Sequence, residues 1–292
     1  MTFTRILCPT DFSPGAQQAL RVAVRMARET AAELVVAHAW YIPASAYAIE
    51  APFSPEVVQQ VVDDAQRGLD AAVQKAVAGG APQVTGKMLS GVPATQIVDE
   101  LASNAYDLCV IGTHGRSGIA RVLLGSVTEK VVRLSPCSVL TVRPDGEARP
   151  FRHALVPTDF SDSAAYALDL AAKLVEPTGT VTVLHVLELA GVYGGETPIP
   201  DFGRGLDERA AAALQREVER IKHSATVTIR SSSRVGYAGM ETLSSIDADR
   251  SIDLVVMGSH GRKGIKRALL GSVAEKTVRH AHCPVLVARQ RG

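Results

Sequence analysis

Two stretches of this chain have the residue types and spacing to hold an anion. They are GTHGRSGIARVLLGS from Gly112 to Ser126 and GSHGRKGIKRALLGS from Gly258 to Ser272. In each, a glycine is followed by two residues, a second glycine, nine residues, a third glycine and a serine. Apolar runs precede both, Leu108 to Ile111 in the first and Leu254 to Met257 in the second. A buried strand entering a glycine-rich turn, with a helix beyond it, brings backbone N–H groups and the positive end of a helix to one point, which suits a phosphate. In this reading Gly112 and Gly258 turn the backbone beneath a ligand, and Gly115 and Gly261 keep the loop clear of phosphate oxygens. Gly125-Ser126 and Gly271-Ser272 start the next helix. Arg116 and Arg262, just past the second glycine, suit a terminal phosphate, whereas Arg121 and Arg267 fit either a ligand contact or a solvated loop face. The pairs Ser126/Glu129 and Ser272/Glu275 also fit a capping box, in which the serine does nothing more than cap a helix.

The segment PTDFS also occurs twice, from Pro9 to Ser13 and from Pro157 to Ser161, each time after a short apolar run. Open α/β sheets bind ligands beyond the carboxyl ends of their strands. An aspartate there, Asp11 or Asp159, can accept hydrogen bonds from a ribose or an adenine amino group; the bland alternative is that it only shapes the turn. Signals for catalysis are weaker. His114 and His260 lie in the glycine loops without an obvious Ser or Cys partner nearby in sequence, and the chain has no Walker lysine motif. His280, His282 and Cys283 alternate near a strand start, a pattern that reads as packing rather than as a zinc site. The four cysteines show no CxxC spacing and read as reduced packing thiols of a cytoplasmic protein.

The elements that must position these residues follow from the hydrophobic pattern. Arg5 to Pro9 reads as a strand, Ser13-Pro14 as the cap and first turn of a helix to Arg28, and Leu34 to Ala39 as a strand covered on both faces. Trp40 to Phe53 reads as a loop. Ser54 opens a long helix that Gly79-Gly80 closes, Val84 to Leu89 is a strand, and Gly91-Val92-Pro93 leads into a helix to about Ala105. Asp107 to Ile111, Ser126 to Leu134 and Ser138 to Val142 complete the first half as strand, helix and strand. After a polar linker, Pro144 to Pro150, the pattern restarts at His153. Val181 to Val186 answers Leu34 to Ala39 with His185 opposite His38, Leu187 to Leu206 reads as a loop, Asp207 to Lys222 as a helix, and Pro284 to Ala288 as the last strand. Alternating strands and helices, duplicated, predict two tandem open doubly wound α/β domains over residues 1–144 and 150–292. With 31 basic and 30 acidic residues in 292, a broad basic face for nucleic acid is not expected. No apolar run reaches the length of a membrane helix, and the N-terminus has no signal-peptide core.

The combination of PTDFS after the first strand and G-x2-G-x9-G-S after the fourth resembles the universal stress protein family, over nearly the whole chain. The resemblance implies two Rossmann-like, adenine nucleotide alpha-hydrolase-like domains, each a five-stranded parallel sheet in the order 3-2-1-4-5. It implies an internal pseudo-dimer through the last strands, Ser138–Val142 and Pro284–Ala288, and allows a homodimer of the whole chain. It implies ATP, with Mg²⁺, as ligand. Pro9, Thr10, Asp11 and Ala39 match the adenine and ribose side, and Ile111, Gly112, Gly115, Arg116, Gly125, Ser126 and Val127 the phosphate side. The second-half equivalents are Pro157, Thr158, Asp159, Val186, Met257, Gly258, Gly261, Arg262, Gly271, Ser272 and Val273. The second half departs from the pattern near Gly236 to Gly239: the proline is lost, Tyr237 appears, and the distance to the next strand grows by one residue. The expected function is a cytoplasmic stress-response protein with ATP as a structural or regulatory ligand. A slow ATPase and a non-nucleotide interaction module are the alternatives.

Overall fold

The computed structural model describes residues 3–41, 54–113, 124–188, 200–222, 226–261 and 270–290. The chain divides into two compact units, with the boundary between Arg149 and Pro150. In the first unit the elements run β1 (Arg5–Pro9), α1 (Pro14–Thr30), β2 (Glu33–Trp40), α2 (Pro55–Ala78), β3 (Gln83–Ser90), α3 (Pro93–Ser103), β4 (Leu108–Gly112), α4 (Ser126–Leu134) and β5 (Ser138–Val142). The strands form a sheet in the order β3-β2-β1-β4-β5, paired in parallel throughout. Strands β1, β4 and β5 carry almost no exposed residue. A parallel sheet covered on both faces requires such unbroken apolar runs.

The second unit repeats the plan with β6 (Phe151–Thr158), α5 (Asp162–Leu174), β7 (Val175–Leu187), α6 (Pro200–Lys222), β8 (Thr228–Val235), α7 (Ala238–Ala248), β9 (Leu254–Gly258), α8 (Ser272–His280) and β10 (Val285–Ala288). Its order is β8-β7-β6-β9-β10, again parallel. In both units strand order reverses between the first and fourth strands, which is where such sheets leave a crevice.

Two elements differ from the sequence expectation. Helix α6 begins at Pro200 rather than near Asp207; a proline fits the first helical position because its missing N–H would have no acceptor there anyway. Strand β7 begins at Val175, directly after α5, and its pairing with β6 is irregular between Phe151 and His153. Pro177 and Gly179 fall in that irregular stretch, where a ladder tolerates them. Among the described residues no helix is long and apolar enough to cross a membrane.

Candidate functional site

The turn after β1 is built to hold Asp11 in place. Pro9 is the last residue of the strand, and the Thr10 N–H donates to the Ala37 carbonyl oxygen of β2 at 2.8 Å. His38 Nδ1 lies 2.8 Å from the Thr10 carbonyl oxygen, which makes Nδ1 the protonated ring nitrogen. Phe12 stacks on His38 with ring centroids 4.3 Å apart, and its backbone takes a φ of 66°. That left-handed conformation is costly for a bulky residue and persists only where the surroundings hold it. The Phe12 N–H donates to Thr10 Oγ1 at 3.0 Å, and the Ser13 N–H donates to Asp11 Oδ1 at 3.1 Å. Ser13 then caps α1 by accepting from the Ala16 N–H. Asp11 therefore does shape the turn, through one carboxylate oxygen, while standing at the carboxyl edge of the sheet.

Opposite it, β4 ends at Gly112, and a Cβ there would lie 2.9 Å from the carbonyl carbon and oxygen of Gly15. The glycine is required because the first turn of α1 packs on the strand end, not because the backbone needs a special dihedral. Thr128 Oγ1 donates to the Gly112 carbonyl oxygen at 2.7 Å, tying α4 to the same point. The N-cap of α4 is Gly125, and among the described residues no side chain caps the helix. Ser126 is the first helical residue and not the cap, so the expected capping box with Glu129 is not formed; the Glu129 N–H instead donates to the Gly125 carbonyl oxygen. The N–H groups of the first turn of α4 precede that first intrahelical bond and carry the positive end of the helix dipole.

Between the aspartate turn and this helix end lies a cavity of about 290 Å³. Its walls include Pro9, Thr10, Asp11, Ala39, Ile111, Gly112, Gly125, Ser126 and Val127. These are all the sequence-predicted first-half residues that lie among the described ones. Ala16, Ala37, Pro93, Ile97 and Thr128 also line it. The arrangement sets an apolar wall and a carboxylate against a helix N-terminus whose cap residue is a glycine, which suits a small anion carrying an apolar ring.

The universal stress protein family model matches the chain twice, over residues 2–143 and 150–289. The chain belongs to the universal stress protein family. It is 31% identical over 209 residues to a universal stress protein of Mycobacterium tuberculosis, covering 71% of this chain and 69% of that one. It is 28% identical over 297 residues to another from the same species, covering 98% and 96%. A universal stress protein from Archaeoglobus fulgidus has the same fold, with a TM-score of 0.70 at 22% identity, over 99% of this chain and 98% of that one.

In the second universal stress protein domain the aspartate turn is reproduced. His185 Nδ1 lies 2.9 Å from the Thr158 carbonyl oxygen, Phe160 packs on His185 at 4.4 Å, and Phe160 has a φ of 63°. Pro157 and Thr158 end β6, Val186 lies in β7, and Met257 and Gly258 end β9. Gly271 is the N-cap of α8, followed by Ser272 and Val273; Ser272 is again not the cap, and no described side chain caps this helix. A Cβ on Gly261 would collide with Asp159 Oδ2, so the strand-one aspartate and the second glycine of the signature meet.

The inserted residue does not lie at the Gly236–Gly239 entry. Helices α3 and α7 are both 11 residues long and both start just past a glycine of positive φ, Gly91 at 129° and Gly236 at 150°. The extra residue falls after α7, in the turn that leads to β9. The lost proline has a local remedy: the Ala238 N–H donates to Glu188 Oε1 at 2.9 Å. Tyr237 is 73% exposed and does not close the cleft.

His114, Gly115, Arg116, Arg121, Arg262 and Arg267 lie outside the described residues, as do most of the expected loop 40–53 and residues 189–199. His260 does have a serine partner, contrary to the expectation from sequence: its Nδ1 lies 2.7 Å from Ser259 Oγ. Ser259 is only 1% exposed, so the pair is not a nucleophile and base open to substrate. Among the described residues no three His, Cys, Asp or Glu side chains group to hold a metal ion. Sequence reasoning missed the His38 and His185 supports and the Thr128 tie. The repeat held the first signal, since the two histidines occupy matching strand positions. The second had none, because Thr128 is matched by Ala274.

Proposed function

We propose that the first domain binds an adenine nucleotide, ATP with Mg²⁺, and that the nucleotide serves as a structural or regulatory ligand in a cytoplasmic stress response. The observation that carries this reading is one cavity onto which both the Asp11 turn and the N-terminus of α4, capped by a glycine, open. Pro93, Ile97 and Ala37 supply the apolar wall for a base, and the Asp11 carboxylate accepts from ribose hydroxyls. The first-turn N–H groups of α4 donate to phosphate oxygens. A volume near 290 Å³ is at the small end for ligand pockets and suits the nucleoside part, with the phosphates at the helix end. Membership of the universal stress protein family supports the stress-response reading. All four cysteines are buried and free, which fits a reducing compartment.

The test is a thermal melt of nucleotide-stripped protein with and without ATP and Mg²⁺. A ligand at a hundred times its Kd stabilises the bound state by about 2.7 kcal/mol, a rise of roughly 5–10 °C for a domain of this size. No rise in Tm, together with no calorimetric heat, would reject the reading.

A further inference from the structure

The two domains share the signature but differ in the residues behind it. The β1–β2 register sets Pro9 opposite Ala37, and the β6–β7 register sets Pro157 opposite Leu184. The small residue that lines the first cavity is therefore matched in the second domain by a leucine that is 1% exposed. Ala39 is likewise matched by Val186. At the end of the fourth strand, Gly15, which packs on Gly112, is matched by Ser163. The Ser163 hydroxyl donates to the His260 carbonyl oxygen at 2.5 Å and lies 3.2 Å from Ser161 Oγ, which in turn donates to Asp159 Oδ1 at 2.6 Å. A Cβ on Gly258 would collide with Ser163 Oγ, and one on Gly261 with Asp159 Oδ2. The strand-end turn from Gly258 to Gly261 is thus tied down onto the start of α5 by a chain of hydroxyls. In the first domain the strand end packs on the backbone of Gly15, which carries no hydroxyl, and Thr128 of α4 donates to the Gly112 carbonyl oxygen. The apolar wall is altered as well: Ile97 is matched by Thr242, whose hydroxyl donates to the Ala238 carbonyl oxygen at 2.7 Å, and Pro93 by Ala238.

We propose that the chain takes one nucleotide and not two, because Leu184 fills the base side of the second domain's cleft while Ser163 holds the Gly258–Gly261 turn on the start of α5. This rests on the nucleotide reading of the first domain. The Ser161 and Ser163 hydroxyls spend their protons on Asp159 Oδ1 and on the His260 carbonyl oxygen, so neither is free to donate to a ligand without breaking a bond already made. Filling the base side removes the contact area that orients a ring.

Native mass spectrometry of the nucleotide-stripped full chain with excess ATP and Mg²⁺ counts the bound molecules. The wild type is expected to saturate at one per chain. Ala37→Leu, which transplants the second domain's residue, is expected to bind none while keeping its circular-dichroism melt; Gly15→Ser gives the same readout if the leucine disturbs folding. The double variant Leu184→Ala/Ser163→Gly is expected to bind two. Two nucleotides on the wild type would overturn the proposal and leave the nucleotide reading intact. So would one retained by folded Ala37→Leu, or one remaining on the double variant. No nucleotide on any variant would remove the underlying reading and the proposal with it.

Discussion

Replacing Asp11 by asparagine separates the two jobs this side chain performs. The carboxylate holds the turn by accepting the Ser13 N–H on Oδ1 at 3.1 Å. Asparagine keeps an acceptor oxygen for that bond, and the Ser13 cap on the Ala16 N–H at 3.2 Å is untouched. The fold should therefore tolerate the change, with Tm shifted by a few degrees at most. What asparagine removes is the charge. Hydrogen bonds to a charged group contribute about 1.5–3 kcal/mol, and about 1.4 kcal/mol is tenfold in affinity, so ATP should bind Asp11→Asn roughly 10- to 150-fold more weakly. Asp11→Ala should lose that affinity and in addition about 1 kcal/mol of stability, because the Ser13 N–H loses its partner. Isothermal titration calorimetry of both variants at fixed ionic strength, paired with urea melts, reads the two effects apart. If Asp11→Asn binds ATP within about twofold of the wild type, Asp11 is a turn residue only and the ribose contact is wrong.

Other consequences are open to the same measurements. Gly112→Val should lower the unfolding free energy read from urea melts by about 1–3 kcal/mol or prevent folding, since its Cβ would sit 2.9 Å from the Gly15 carbonyl group; an unchanged value would show that α1 can shift. Because of that packing role, loss of ligand binding in this variant says nothing about the ligand. Ile97→Thr, which imports the second domain's residue into the apolar wall, should weaken ATP by about 1–2 kcal/mol through lost apolar contact, read by calorimetry; unaltered affinity would move the base away from α3. Burial pushes the Cys8 thiol up to about 12, and desolvation shifts Cys109 in the same direction. The folded state thus favours the neutral thiol. Its contribution to stability is complete below the ordinary value of 9.0 and is lost as the pH climbs from there toward about 12. Urea midpoints from pH 8 to pH 10.5 should fall less steeply in Cys8→Ala than in the wild type, and equal slopes would contradict the assignment.

How much of this was legible in the sequence depends on the kind of interaction. Helix α4 and strand β5 have the bounds that periodicity and turn residues predict, because local apolar spacing decides them. The Asp11 turn, the Gly112 strand end and the Gly125-Ser126 helix start were visible as types and spacings. Their convergence on one cavity follows from the parallel register and the strand order. What stayed hidden depends on contacts between distant segments. Gly112 is a glycine because of Gly15, and Ser126 is not the cap because Gly125 already takes that position. Thr128 reaches back to a carbonyl that only the folded sheet places nearby. The inserted residue was countable, but its location after α7 was not, since the count runs across a helix whose ends the sequence leaves uncertain by a residue or two. The difference between Ala37 and Leu184 became meaningful once the register set both opposite the proline of the strand-one turn.

The most direct test of the central claim is a crystal structure of the full chain grown with ATP and Mg²⁺. Electron density is expected in the first domain, with the base against Pro93 and Ile97, the ribose at Asp11 and the phosphates at the N-terminus of α4. Saturating ATP that leaves this cavity empty, or a nucleotide seated in the second domain alone, would contradict it.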